Sequence, residues 1–361
     1  MGPVAAHVAH IRHLARPSAL KELLERRHGV KAAESRERAQ KVGPFLDQAL
    51  SFHDVSRSAP LRVRPVLQYY TYLNLAVALV LIYQPLGWEQ YRKHGVEDTT
   101  RELNRILLSS EVVRVRKGAL ALFHAIISES TLSKKKVSLQ DLLVAIPMLG
   151  GELSHNFQIQ PQLLEVLPDV RVIKEGKTLL ARSQFTFRLH RRREGTRCRK
   201  GRSGFPLRRL YTAMPSLQTR YQLVGQGEAE RTFLSRDKWS SGYKARAERF
   251  HSEMALKFVN FGGQQFSDEQ SPNPIYGQSK IIYGWRLGDT SLLPTLTAGL
   301  LLSFSLASLC RYRASLLDRI EGSRINLLLE VFSGEADGFI IPAMRNLLYA
   351  ETLYIHPSKH T

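Results

Sequence analysis

Two long uncharged stretches constrain the fold of this chain more than any other feature. Residues 65–88 form a run of 24 without a charged side chain, and residues 291–310 form a run of 20. About 20 apolar residues are enough to cross a bilayer. However, the first run contains four tyrosines and several amides, and the second contains six serines and threonines. Helices that are buried on all sides in a large soluble domain have the same character. We therefore expect two central core helices and no membrane span.

Hydrophobic periodicity predicts further helices on both sides of these runs. Before the first run we expect a frayed helix ahead of Pro17 and a helix over 18–27. Residues 30–52 predict either one surface helix or a pair of helices broken near Gly43-Pro44. Between the runs we expect a capped helix over 98–108 and a helix over 138–146 that ends at Pro147. After the second run the pattern predicts two helices, over 325–332 and 339–354.

Strand patterns are concentrated after residue 168. Residues 170–173 and 178–189 flank a glycine turn and predict a β-hairpin, and residues 220–224 and 280–285 predict two more strands. Residues 111–116 alternate with a period of two and predict one short strand earlier in the chain. We therefore predict an α+β fold with a mainly helical core and a smaller β-rich insertion. The expected division is N-terminal helices at 1–57, the first half of the core at 58–160, a basic β-rich insertion at 161–290, and C-terminal helices that pack on the core at 291–361.

Charge and cysteine content indicate the partner and the compartment. The chain has 52 Lys and Arg against 32 Asp and Glu, which gives a net charge of +20. Such an excess favours a polyanionic partner, RNA or DNA above all, although a general surface bias would give the same count. Two cysteines cannot form a disulfide framework, and this favours a reducing, cytoplasmic location. The oligomeric state is left open.

An arginine-rich segment is the strongest local signal for such a partner. Residues 188–209 contain ten Lys or Arg and one acidic residue, Glu194. Guanidinium groups bind phosphates bidentately, and nearby aromatic rings can stack on bases. A solvated charged loop without a partner is the alternative. The predicted contacts to nucleic acid are Arg191, Arg192, Arg193, Arg197, Arg199, Lys200 and Arg202.

Several short blocks resemble the YaaC-like protein family. They are residues 59–70, 94–96, 111–118, 122–123, 141–147 and 306–312. The resemblance implies a bacterial cytoplasmic protein of a family whose biochemical activity is unsettled. The arginine-rich segment is not a feature of this resemblance.

The helical half of the same region is similar to HEPN domains, many of which are RNases that use an Arg and a His on one helix. That similarity implies Arg116 and His124 as catalytic candidates, although seven residues separate them instead of four to six and Gly118 intervenes.

Polar residues within the family blocks could form a cationic pocket for a nucleotide or phosphate. The pocket candidates are Arg64, Tyr69, Asn74, His94 and Lys117, with Arg116 and His124 beside them. Alternatively, these side chains satisfy helix ends and one another in the core. The sequence lacks phosphate-loop, nucleophile-elbow and metal-ligand motifs. We expect no metal site and no cofactor.

The leading hypothesis is a cytoplasmic protein that binds nucleic acid or a nucleotide. The alternatives are a HEPN-like RNase or other nucleotide-acting enzyme, and a non-catalytic protein-interaction scaffold.

Replacing Arg191, Arg192, Arg197 and Arg199 with alanine tests the arginine-rich segment. We expect affinity for RNA or DNA to fall by a similar factor for every sequence, because phosphate contacts do not read bases. The salt dependence of binding should decrease by about 0.7 to 0.9 for each lost phosphate contact. Binding is measured by fluorescence anisotropy at several salt concentrations. Unchanged affinity would contradict the assignment.

Overall fold

The computed structural model of the protein describes residues 3–85, 87–100, 106–129, 131–132, 136–159, 293–320 and 322–350, together with strands and one short helix between 162 and 285. Its helices before residue 160 are α1 (Pro3–Leu14), α2 (Pro17–Arg26), α3 (Ala32–Ser58), α4 (Arg64–Tyr83), α5 (Trp88–Tyr91), α6 (Ala119–Ser128), α7 (Leu139–Val144) and α8 (Gly150–Phe157). The later helices are α9 (Pro215–Arg220), α10 (Thr295–Tyr312), α11 (Ala314–Ile320) and α12 (Arg324–Tyr349).

The strands form two antiparallel groups. The small sheet has the order β1-β2-β3 and consists of β1 (Val96–Asp98), β2 (Val112–Val115) and β3 (Lys136–Ser138). The second group lies in the insertion and contains β4 (Gln162–Leu167), β5 (Val172–Glu175), β6 (Leu180–Arg188), β7 (Tyr221–Gln226), β8 (Glu230–Ser235), β9 (Gln265–Phe266) and β10 (Lys280–Trp285). Its order is β7-β8-β6-β4-β10-β9, with β5 paired to β6. The predicted fold class, a helical core with a smaller β-rich insertion, is confirmed.

Helix α4 lies at the centre of the core. Fifteen of its residues are buried, and it packs against α3, α6, α10 and α12. Two of its polar side chains are satisfied by α12. Gln68 donates to the Ser333 carbonyl and accepts from the Ser333 hydroxyl, both at 2.8 Å, and the buried Tyr72 hydroxyl donates to Asp337.

Both α4 and α10 are long and apolar enough to span a membrane by length and composition. In this fold, 78% of the apolar window of each helix is buried inside the protein. The expectation of two central core helices is therefore confirmed.

Two predicted helix boundaries are wrong, the break within α12 and the start at Asp98, and so is the expectation that the N-terminal helix is frayed. Of the two alternatives for residues 30–52, the structure has the single helix: α3 continues through Pro44, because Val42, Gly43 and Leu46 are buried against the preceding helices and packing outweighs one lost backbone hydrogen bond. Helix α12 is also unbroken, since the polar stretch that should have interrupted it is bonded to α4 through Ser333 and Asp337.

The N-terminal helix α1 is packed rather than frayed. Ile11 and Leu14 are each 1% exposed, and the Tyr349 hydroxyl of α12 donates to the His10 carbonyl at 2.8 Å. The helix predicted at 98–108 does not start at Asp98, which ends strand β1 and pairs with Val113. Cross-strand pairing therefore outweighs the local capping signal there.

A buried ion pair ties α10 to the small sheet. The Arg313 guanidinium, just after α10, donates to both carboxylate oxygens of Glu111 at 3.0 and 2.5 Å. The Glu111 side chain is only 3% exposed and that of Arg313 10%. This bidentate pair, with its charge-assisted hydrogen bonds, raises the pKa of Arg313.

Replacing Arg313 with alanine should lower the free energy of unfolding by about 3 to 5 kcal/mol, because the Glu111 carboxylate would remain buried without its partner. The matched control is Arg12→Ala, which removes an exposed pair with Asp54 and should cost about 0 to 1 kcal/mol. Urea unfolding of both variants measures the difference. Equal losses would show that burial does not set the strength of the Glu111 pair.

Candidate functional site

The sequence blocks that resemble one family meet at a crossing of two glycines. The backbone from Lys93 to Gly95 runs against the end of β2 and the start of α6. The Arg116 amide donates to the Gly95 carbonyl at 2.8 Å and the Ala119 amide to the Lys93 carbonyl at 2.9 Å. Gly118 has φ +150°, and a Cβ there would lie 2.5 Å from the Lys93 carbonyl oxygen. The crossing therefore requires glycine at this position, and it fixes the backbone of His94.

His94 is oriented by the buried hydroxyl of Tyr69. The Tyr69 oxygen lies 2.9 Å from His94 Nδ1, and Tyr69 is 1% exposed. If the imidazole donated this bond, the phenol hydrogen would be buried without an acceptor among the described residues, at a cost of about 1 to 3 kcal/mol. The phenol therefore donates to Nδ1, and the hydrogen of the neutral ring is on Nε2. Within the described part of the chain Nε2 has no partner, so it is free to donate to a ligand.

Arg311 covers the neighbouring aromatic surface. Its guanidinium carbon lies 6.0 Å from the ring centroid of Tyr70 and 5.0 Å from that of Tyr312. Its Nη1 donates to the Tyr70 hydroxyl at 3.2 Å, and its Nε to the carbonyl one turn earlier in α10 at 3.3 Å. The remaining N–H groups of Arg311 have no partner among the residues that the structure describes, which leaves them available to a ligand. Tyr312 is 73% exposed, the largest exposure among the large hydrophobic side chains that the structure describes.

The electrostatics of this cluster are positive. No described carboxylate lies within ion-pair distance of Arg311, Lys93 or Lys117, and all three side chains are exposed. Burial and the nearby Arg311 charge lower the pKa of His94, so His94 is neutral at pH 7. We call Tyr69, Tyr70, His94, Arg311 and Tyr312 the Tyr-Arg cluster. It presents one cation, one neutral N–H donor and two partly exposed rings.

The structure brings together only part of the predicted pocket. Tyr69 and His94 are hydrogen-bonded, and Lys117 lies next to the glycine crossing. Arg64 instead donates to the Ala59 carbonyl at 3.3 Å at the start of its own helix, and Asn74 donates to the Tyr70 carbonyl at 2.8 Å. Those two residues satisfy the local backbone.

Sequence reasoning missed Arg311, Tyr70 and Tyr312 as site residues. All three lie in blocks quoted for the family resemblance. Arg311-Tyr312 is an abrupt polar ending to the uncharged run of 20 residues at 291–310. That ending is a usable signal, but only tertiary packing shows that it meets Tyr70.

Arg116 and His124, the catalytic candidates, do not form one site. Arg116 is exposed, and its Nε donates to Glu97 at 2.6 Å. His124 is 4% exposed; its Nδ1 lies 3.2 Å from the Thr297 hydroxyl and its Nε2 3.0 Å from the Ser128 hydroxyl. The contacts of His124 are those of a buried structural residue.

The seven arginines and lysines predicted to contact nucleic acid, from Arg191 to Arg202, lie outside the described residues. Among the residues that are described, no group of three or more His, Cys, Asp or Glu is placed to hold a metal ion.

These features define a mainly helical α+β protein with a cationic, tyrosine-rich surface at the meeting point of its family-like blocks. A family model described as YaaC-like protein matches residues 9–332. The chain therefore belongs to the YaaC-like family. Searches of curated proteins and of solved structures each found no match. The HEPN-like similarity stays a prediction.

The buried position of His124 predicts a pH-dependent stability. Burial lowers its pKa from 6.5 to about 4, so between these values the unfolded chain binds a proton that the folded protein does not. The contribution of the neutral His124 ring to the free energy of unfolding is therefore complete above pH 6.5 and is lost as the pH falls toward 4. For one such histidine the free energy of unfolding drops by about 2 kcal/mol between pH 7 and 5.

Urea unfolding at both pH values should show this drop reduced in His124→Gln by about that amount. The exposed residue His13 supplies the control, since His13→Gln should leave the drop unchanged. An identical pH dependence in the wild type and His124→Gln would disprove the assignment.

Proposed function

We propose that this YaaC-like protein binds single-stranded RNA or DNA in the cytoplasm, with the Tyr-Arg cluster as a contact for one base and its phosphate. The observation that carries this proposal is the exposed Arg311. It has no described acidic partner and lies over Tyr70 and beside the exposed ring of Tyr312.

Exposed rings next to a cation match the chemistry of single strands. Every base has a face that can stack on an aromatic ring, and such stacking is worth about 1 to 3 kcal/mol per base. In a duplex the base faces are occupied by neighbouring bases. The exposed Tyr312 ring therefore favours unpaired nucleotides over a duplex.

The donors of the cluster match a phosphate. Arg311 has N–H groups beyond those bonded to Tyr70 and to the α10 backbone, and neither they nor His94 Nε2–H have a partner among the described residues. Charged donors make shorter and stronger hydrogen bonds to phosphate oxygens than neutral ones. Lys93 and Lys117 add positive charge around the glycine crossing, which increases attraction to the phosphate backbone but carries no sequence information.

The arginine-rich segment supports the same proposal from the sequence. Its seven cations, Arg191 to Arg202, would extend backbone contacts beyond the cluster. The net charge of +20 agrees with a polyanionic partner. In the proposal the segment supplies sequence-independent affinity, and the Tyr-Arg cluster supplies the preference for unpaired bases.

Arg311→Ala should weaken binding of a labelled single-stranded oligonucleotide about tenfold, because it removes a phosphate donor and a cation over the tyrosines. The control is Arg36→Ala, which removes the same charge from an exposed site on α3. Its neighbour Arg38 bonds to the Ile82 carbonyl near the end of α4, so Arg36 lies at the opposite end of α4 from Tyr70. We expect less than about a twofold effect from the control.

Tyr312→Ala separates stacking from charge. It should weaken single-strand binding by at least about fivefold and leave duplex binding nearly unchanged. Anisotropy titrations of both oligonucleotides measure the difference. Equal effects of Arg311→Ala and Arg36→Ala would disprove a role for the cluster. If the protein binds none of the oligonucleotides and instead retains an acidic protein partner after nuclease treatment, the scaffold hypothesis replaces the nucleic-acid-binding hypothesis.

A further inference from the structure

A cavity of about 300 Å³ lies on the other side of α10 from the Tyr-Arg cluster. Its α10 lining consists of Leu306, Leu309 and Cys310, whereas Phe304 and Arg311 contact Tyr69 and Tyr70. At about 100° per residue these two sets point in opposite directions from the helix axis. The cavity is therefore a separate site.

The wall of the cavity is mostly apolar. Prolines and leucines come from the turn before α4, from the first turn of α4, from α10, from α11 and from α12: Pro60, Leu61, Pro65, Leu306, Leu309, Leu317 and Leu329. Leu61 is 39% exposed, so an apolar side chain reaches the opening. A cavity of about 150 Å³ with such a lining holds one benzene molecule. This one therefore has room for a ring with a short chain.

The charges that line the cavity do not balance. Arg62 pairs with Asp318 at 2.5 Å, and the Ser333 hydroxyl is bonded to Gln68. Glu330 accepts a hydrogen bond from the Asn326 amide. No Lys, Arg or His in the described part of the chain pairs with Glu330. The half-buried Glu330 carboxylate is thus the one lining charge without a counter-charge among the described residues.

We propose that this cavity binds a small apolar molecule that carries an amino group, with the apolar part among the leucines and the ammonium at Glu330. A carboxylate partner for an ammonium inside a partly desolvated pocket gives a charge-assisted hydrogen bond. Such small-molecule sites combine an apolar wall with a few polar groups that orient the ligand. The site takes no part in the proposed nucleic-acid binding.

The net charge of the protein distinguishes specific binding of an amine at Glu330 from non-specific binding. A molecule with a charge of +20 repels amines and attracts carboxylates wherever binding is non-specific. A preference for an amine over the matched carboxylate therefore has to come from a local negative group.

Three compounds of matched shape test the proposal on the full chain: 4-phenylbutylamine, 4-phenylbutan-1-ol and 4-phenylbutanoate. Isothermal titration calorimetry should give a Kd below about 1 mM for the amine. The alcohol should bind about tenfold more weakly and the carboxylate more weakly still, because each lacks the bond to a charged partner.

Glu330→Gln keeps the shape of the side chain and should reduce amine binding to within about twofold of the alcohol. Glu335→Gln removes an exposed charge from the same helix but away from the cavity, and should change nothing. Leu61→Trp narrows the opening and should weaken the amine and the alcohol alike. The proposal is overturned if the carboxylate binds as tightly as the amine, if Glu330→Gln leaves amine affinity intact, or if none of the compounds binds at millimolar concentration. Oligonucleotide affinity, measured on the same Glu330 variant, should be unchanged, which keeps this test separate from that of the Tyr-Arg cluster.

Discussion

The structure depends on the burial of α4 on all sides. A helix with fifteen buried residues can remain in a core only if its polar side chains find partners there, since an unsatisfied buried group costs about 1 to 3 kcal/mol. Helix α12 supplies those partners: Ser333 for Gln68 and Asp337 for Tyr72. The His53 ring of α3 lies 3.6 Å from Asp337, so three helices meet around one partly buried carboxylate. The polar groups thereby select how α3, α4 and α12 pack.

Two further contacts connect this core to the small sheet. The bidentate Glu111–Arg313 pair joins β2 to the end of α10, and the Ser308 hydroxyl of α10 donates to Asp98 at 2.7 Å. The glycine crossing then holds His94 against α4. Since α10 is anchored at its end, Arg311 is held next to Tyr70. The Tyr-Arg cluster is therefore a consequence of how α4, α10 and the small sheet are joined.

Helix α10 separates two surfaces of different chemistry. On one side the Tyr-Arg cluster presents a cation, an N–H donor and exposed rings, which suit a phosphate and an unpaired base. On the other side an apolar cavity contains a carboxylate without a described counter-charge. Both sites include residues of the blocks 59–70 and 306–312. The blocks that resemble the family therefore contribute residues to two candidate ligand sites and also to the packing of the core.

The sequence by itself determined the elements whose signals are local and strong. An uncharged run has to be buried, so α4 and α10 were predictable as core helices, and period-two alternation was enough to predict β2. The hairpin β5–β6 and strand β10 followed from similar patterns. Tyr69 and His94 were predicted as parts of a pocket because they lie within the family blocks.

Only the tertiary structure decided what depends on contacts between distant residues. The Gly43-Pro44 signal left a break in α3 open, and the pattern predicted a break in α12, but the packing of buried side chains and the bonds to α4 outweigh those local preferences. Asp98 carried a capping signal, yet pairing with β2 placed it in a strand. Arg311 and Tyr70 are 241 positions apart, and no pattern in one sequence indicates that they meet. His124 was similarly ambiguous until its burial and its two hydroxyl partners showed a structural role. Local propensities amount to tenths of a kcal/mol per residue, whereas a buried polar group or charge is worth several times more, so tertiary contacts decide wherever the two conflict.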